Sequence, residues 1–178
     1  MPNFHRDPVK TFIDSPHLMS DPQWRAGYAL LKQYNLSFDP QLYYTQMEEA
    51  TALACDFPDT AVVLNHTGME VDRLPEEVEA WKKSMTLRAS APNVFCKISW
   101  LGMGHWKWTI DSIRPFILHA IEAFGVERCM LASNFPVDKL FSTYDDFFNA
   151  FKSITKDFSA GERAALFHDN AERVYRLR

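Results

Sequence analysis

The chain predicts an α/β fold in which parallel strands alternate with helices. Three observations carry this. Short apolar runs of strand length recur along the sequence, each followed by a segment with helical periodicity. No Pro-, Gly- and Ser-rich linker divides them, so the alternation belongs to one continuous unit over residues 1–178. The apolar runs also end in polar side chains, as parallel strands do where they carry chemistry at their C-terminal ends.

The elements follow in order. PQWRAGYALLKQY (22–34) reads as a helix, with Asp21 as N-cap, Pro22 at the first helical position, and Trp24, Tyr28 and Leu31 on one face. LSFDPQLY (36–43) reads as a strand, although Pro40 removes a ladder donor, so the strand is expected to bulge or stop early. TQMEEATALACDF (45–57) is helical, with Met47, Ala50, Ala54 and Phe57 together. TAVVLNH (60–66) is a short strand and PEEVEAWKKSMTLRAS (75–90) a helix with Val78, Trp81 and Met85 in step. NVFCKIS (93–99) is a strand. SIRPFILHAIEAF (112–124) is a helix whose Pro115 is tolerable in the first turn, with Gly125 as C-cap. RCMLAS (128–133) is a strand, and TYDDFFNAFKSI (143–154) a helix with Tyr144, Phe147, Phe148 and Phe151 inward. Ser159 with Glu162, and Asp169 with Glu172, predict capping boxes in the tail.

Composition narrows the function classes. A formal net charge of −4, with no stripe of Lys and Arg, argues against a nucleic-acid partner. No apolar run approaches a membrane span. Three widely spaced cysteines, Cys55, Cys96 and Cys129, all in apolar segments, suggest buried free thiols and a reducing, cytoplasmic setting rather than a disulfide framework. Six glycines without a GxGxxG or GxxxxGK pattern disfavour a nucleotide-binding open sheet. A barrel of parallel strands is the remaining architecture. Its strand ends would carry Gln41, His66, Ser99 and Asn134. Alternation along the strands puts Met130, Ala132 and Asn134 on one side, and Val62, Leu64 and His66 on one side, as inward rows with a polar tip.

At VVLNHTGM (62–69), VFCKIS (94–99) and RCMLASNFPVDKL (128–140), joined to LFHDNAERVYRL (166–177), the sequence resembles the amidohydrolase-related family. These are distorted TIM-barrel hydrolases that include lactonases acting on sugar lactones and dicarboxylate lactones. LSFDPQLYYTQMEEA looks like the family's fifth strand and following helix, and NFHRDP like the end of its fourth. The resemblance implies a partial (βα)8 TIM barrel, from the end of strand four through strand eight, lacking the N-terminal strands. It implies unpaired sheet edges, hence a homodimer or a partner carrying the missing half.

The resemblance also sets the expected chemistry. Such enzymes often hold a divalent metal such as zinc on an HxH pair and a strand-eight aspartate. This chain has no HxH, and Asn134 stands where the aspartate would be. A neutral amide cannot be a general base, so no metal cofactor is expected. The expected reaction is water attack on the carbonyl of a lactone or related cyclic ester with an anionic or polyhydroxylated body. The catalytic candidates are His66 as base or carbonyl polariser, Asn134, and Asp138 in the loop over the strand ends. The substrate-binding candidates are His5, Arg6, Gln41, Lys97, Ser99 and His105, the last in the Trp-rich loop GMGHWKW. His17, His119 and His168 read as structural. Two alternatives stand beside this: a non-catalytic barrel fragment serving as an assembly partner, and a metal-dependent decarboxylase.

Overall fold

A computed structural model describes residues 3–5, 7–13, 15–69, 73–103 and 106–177. Three parallel strands form the sheet, in the order β1 (Val62–Leu64), β2 (Val94–Ile98), β3 (Cys129–Leu131). The register pairs Val62 with Val94, Cys96 with Cys129, and Ile98 with Leu131. Between and around the strands run α1 (Pro22–Gln33), α2 (Met47–Asp56), α3 (Pro75–Ala89), α4 (Ile110–Phe124) and α5 (Tyr144–Ile154).

The expected helices form for the expected reasons. Asp21 accepts the Trp24 N–H and caps α1, and Thr109 and Thr143 cap α4 and α5 through reciprocal bonds with Ser112 and Asp146. Because α4 starts at Ile110, two residues earlier than the sequence suggested, Pro115 falls in the second turn rather than the first. Of the aromatic stripe on α5, Phe147 and Phe151 are buried, whereas Tyr144 is half exposed. The Ser159–Glu162 capping box is present at α6 (Ala160–Ala164), but the expected second box is not. Asp169 lies in helical conformation, because a π-helical stretch, Ala165–Asp169, carries the chain without a break into α7 (Asn170–Tyr175).

Residues 36–43 do not form a strand. Phe38 alone makes a parallel bridge to Val62, and beyond it Asn65 holds the segment, its N–H on the Pro40 carbonyl (3.0 Å) and its side-chain amide on the Asp39 carbonyl (3.1 Å). Proline at 40 has no N–H to continue the ladder. Phe38 packs instead against Trp24 and Tyr28 of α1.

The two sheet faces are divided by alternation. Val62, Leu64, Val94, Cys96, Ile98, Cys129 and Leu131 face the helices and join the main core with Trp81, Met85, Ile117, Phe147 and Phe151. Val62 and Leu64 therefore lie on the helix side, not in an inward row as expected. Val63, Phe95, Lys97 and Met130 take the other face. Cys96 and Cys129 are buried free thiols, but Cys55, on the outer side of α2, is exposed. Among the described residues, no helix is long and apolar enough to cross a membrane.

Candidate functional site

The chain leaves each strand at its C-terminal end through a strained turn. After β1, His66, Thr67, Gly68 and Met69 have φ of 58°, 53°, 71° and 48° in succession. After β2, Trp100 has φ 70°, and after β3, Asn134 has φ 58°. A left-handed conformation costs a bulky L-residue on the order of 1–2 kcal/mol. Gly68 escapes that cost, and it also lacks the Cβ that would lie 2.5 Å from the Met47 side chain.

This turn breaks the strand alternation and swings His66 across the rim. Its Nδ1 lies 2.9 Å from the Ser99 hydroxyl, and its ring leans toward Trp100, centroids 6.5 Å apart. Burial, helped by the nearby Lys97 charge, pushes the imidazole down to about 4, so the ring is neutral at physiological pH. Beneath it, Thr67 is wholly buried. Its hydroxyl donates to the Ser99 carbonyl (3.1 Å) and accepts from the Ser99 N–H (3.3 Å), while its own carbonyl accepts from the Trp81 indole (2.8 Å).

Lys97 does not project freely toward a substrate. Its ammonium sits 3.3 Å from Asp39 and 5.3 Å from the Tyr175 ring centroid, and the Tyr175 hydroxyl donates to the same Asp39 oxygen at 2.6 Å. Burial and the Asp39 carboxylate push the Tyr175 phenol well above its usual range. Asn65 ties this cluster to the rim by donating its Nδ2 to the Asp39 carbonyl (3.1 Å).

At the end of β3, Asn134 donates its Nδ2 to Asp138 Oδ1 (2.8 Å), and the Asp138 N–H returns to the Asn134 carbonyl. The peptide between Phe135 and Pro136 is cis. Asp138, the catalytic candidate in the loop over the strand ends, is buried. It has no accessible surface, its Oδ2 has no partner, and burial raises its acid, opposed by the Asn134 bond. The ends of β1 and β3 are two strand spacings apart, about 10 Å. Ser99, at the end of the intervening β2, bonds His66, while Asn134 bonds Asp138.

Other candidates lie outside this group. Gln41 is half-buried in the segment after Pro40. His5 accepts the Asp7 N–H at Nδ1 (2.9 Å) and packs its ring on Tyr43, which itself clusters with Met69 and Trp100. His5 also lines a cavity of about 640 Å³ with Phe4, Tyr44, Gln46 and Glu49. Arg6 and His105 lie outside the described residues. His119 contacts the Lys82 carbonyl and the Trp81 ring, and His168 pairs with Asp169 on the surface. Asp39, Asn65, Thr67 and Tyr175 were not singled out from the sequence. Only the charge of Asp39 immediately before a proline, inside an apolar run, signalled any of them.

A divalent metal does not fit the donors present. Among the described residues, no group of three or more His, Cys, Asp and Glu side chains converges as a cation site. The neighbours of His66 are a hydroxyl, an indole and a lysine ammonium.

Comparison with known proteins identifies the class. The amidohydrolase family profile matches residues 12–177, and the chain belongs to that family. An uncharacterized protein of Sinorhizobium fredii, y4mH, is 58% identical over 175 residues, covering 98% of this chain and 59% of that protein. An L-fucono-1,5-lactonase of Burkholderia multivorans is 27% identical over 180 residues, covering 95% of this chain and 59% of the lactonase. A crystal structure of a B. multivorans amidohydrolase with bound zinc superposes with a TM-score of 0.85 at 26% identity, over 90% of this chain and 59% of that one. A Rhizobium 2,6-dihydroxybenzoate decarboxylase superposes at 0.56 with 14% identity, over 88% of this chain and 56% of its own, a likeness of fold. The chain thus spans about three fifths of the length of the curated relatives it matches.

Proposed function

We propose that the chain carries the catalytic rim of a lactonase-like hydrolase. The observation that carries this is the His66 ring: uncharged at neutral pH, fixed by Ser99 at Nδ1 and leaving Nε2 for a substrate. With Nδ1–H donated to Ser99, Nε2 accepts a proton from the attacking water as the carbonyl becomes tetrahedral. The ring then returns that proton to the departing alkoxide as the ester C–O bond breaks, giving the open hydroxy acid. A base held near 4 is weak, but its conjugate acid is a strong donor to the leaving oxygen, which suits a cyclic ester. Lys97, paired with Asp39, stays beside the ring, and Asn134 faces a polar group of an anionic or polyhydroxylated substrate. The similarity to L-fucono-1,5-lactonases supports that substrate class.

The test is a panel of sugar and dicarboxylate lactones against wild type and His66→Ala. Wild type should open at least one, and the variant should lose about 10²- to 10⁴-fold in kcat/KM. Equal activity in the variant would remove His66 from the mechanism.

We also read the sheet as part of a (βα)8 barrel completed by a second copy or by chain carrying the other strands. The span of three fifths of its relatives supports this, and so does the edge of β3. The Ala132 N–H bonds the Ile98 carbonyl, so alternation turns the backbone groups of Cys129 and Leu131 away from β2. A side-chain amide, from Asn170, takes the Cys129 carbonyl. If the edge is an assembly surface, sedimentation at micromolar concentration shows a dimer or a complex with the complementary strands. A stable monomer that unfolds cooperatively argues against it.

A further inference from the structure

We propose that Thr67 is the positioning residue of the rim: its hydroxyl clamps Ser99, and Ser99 in turn fixes the ring of His66. The inference rests on the reading above for its catalytic consequence, but its geometry stands apart from the substrate.

Four consecutive residues with positive φ, three of them not glycine, form a turn that the local sequence would not adopt unaided. Something must hold it, and the contacts converge on Thr67. The Trp81 indole anchors its carbonyl from α3, and Gly68 seats the turn closely on Met47 and Met85. That leaves the hydroxyl directed at the neighbouring loop. There it meets both backbone groups of one residue, accepting from the Ser99 N–H and donating to the Ser99 carbonyl. Ser99 is itself nearly inaccessible, so water cannot readily replace either bond. With its backbone pinned on both sides, the Ser99 side chain is presented to His66 Nδ1. Arg73 also ties the two segments, donating to the Leu101 carbonyl (2.7 Å), but at Ser99 the Thr67 hydroxyl joins the loop after β1 to the loop after β2, and the free imidazole nitrogen is aimed as a result. Among the described residues, the charged groups near the ring are Lys97 and, paired with it, Asp39. Neither bonds the ring, so the ring's orientation depends on Ser99.

Thr67→Val is the decisive variant, since it keeps the branched shape and the strained backbone while removing both hydroxyl bonds. Nitrogen-15 NMR of the imidazole reports the His66 tautomer and titration midpoint without any substrate. In Thr67→Val the midpoint should rise by about one pH unit or more toward the ordinary histidine value, as solvent reaches a loosened ring. On a turned-over lactone, kcat should fall about tenfold to a hundredfold with KM within about twofold. Thr67→Ser should restore both readouts. A folded Thr67→Val protein, judged by circular dichroism, with unchanged His66 signals overturns the proposal. If that variant does not fold, Ser99→Ala decides. It should shift the same tautomer signals, and an unchanged spectrum again overturns the proposal. Should wild type open no lactone, the lactonase reading fails while the NMR arm still judges the positioning of His66.

Discussion

The two ends of the sheet use polar residues in opposite ways. At the N-terminal ends of the strands, long side chains saturate backbone carbonyls. Arg128, just before β3, donates to the carbonyls of Phe124, Ala91, Val94 and Ala89 at 2.9–3.3 Å. The Asn93 amide, just before β2, lies 2.9–3.1 Å from the carbonyls of Ala54, Phe57 and Thr60, and Asn170 reaches those of Val126 and Cys129. At the C-terminal ends, polar side chains meet one another across strained turns. Among the described residues, buried oxygens without a partner occur at both ends, Asp138 Oδ2 and Asn65 Oδ1 here and Asn93 Oδ1 at the other. Among the described non-glycine residues with positive φ, only Asn35 and Arg176 lie elsewhere, each just past a helix. One end is arranged for stability. The other concentrates the backbone strain, the kind of feature that clusters at functional sites.

The sharpest way to break this division is Arg128→Met. Methionine keeps much of the apolar stem but takes the donor from the carbonyls of Phe124, Val94 and Ala89, while Ala91 keeps the Val94 N–H. Stability should fall by about 3–4 kcal/mol in urea unfolding. The His66 imidazole signals should stay where they are. A variant of near-native stability would show that Arg128 is ornamental and that the two ends do not differ as described.

How much of this was legible in the sequence follows the range of the interactions. The helices were readable because their signals are local: Asp21, Thr143 and Ser159 each cap a turn begun within three residues. The strand at 36–43 was overread because its apolar content outweighed Pro40, which limits the pairing to the single bridge at Phe38. His66 was singled out by residue type and by its place at a strand end. The inward row assigned to Val62 and Leu64 failed because alternation was carried through a turn in which every φ is positive. Only Gly68 hinted at that turn. The Asp39–Lys97–Tyr175 cluster had no local signature, since Asp39 and Tyr175 stand 136 residues apart. Thr67 looked like an ordinary strand-end hydroxyl until the loop after β2 was placed beside it.

Acid should weaken the two ends unequally, and His66 sets the sign. Its folded value near 4 lies below the ordinary value of about 6.5. Between those values the unfolded chain binds the extra proton. Stability attributable to the ring is therefore complete above about 6.5 and declines as pH falls toward 4, by roughly 2 kcal/mol after allowance for partial solvent screening. Urea titrations at a series of pH values, compared with His66→Gln, isolate this contribution. The wild-type slope in that window should flatten in the variant. Parallel slopes would mean that the imidazole is not desolvated in the folded protein.

The smallest effect should come from Asp138, with a sign opposite to that of the usual surface carboxylate. Burial raises its folded value, so the unfolded chain ionises first as pH rises from about 4. Over that window the folded state holds the extra proton, and stability declines with rising pH until the folded group also ionises. Asp138→Asn removes the titration yet keeps an oxygen to accept the Asn134 amide. The variant should therefore match wild type near pH 3 and gain about 1 kcal/mol at pH 7 to 8, with Asn134 unmoved. Asp138→Ala should show no such gain, because it leaves the Asn134 Nδ2 without its acceptor. If Asp138→Asn instead loses stability at neutral pH, the unpartnered Oδ2 is an ionised oxygen held by a cationic or donor group. The end of β3 would then be fully paired, and the contrast between the two ends would narrow to the turns at His66 and Trp100.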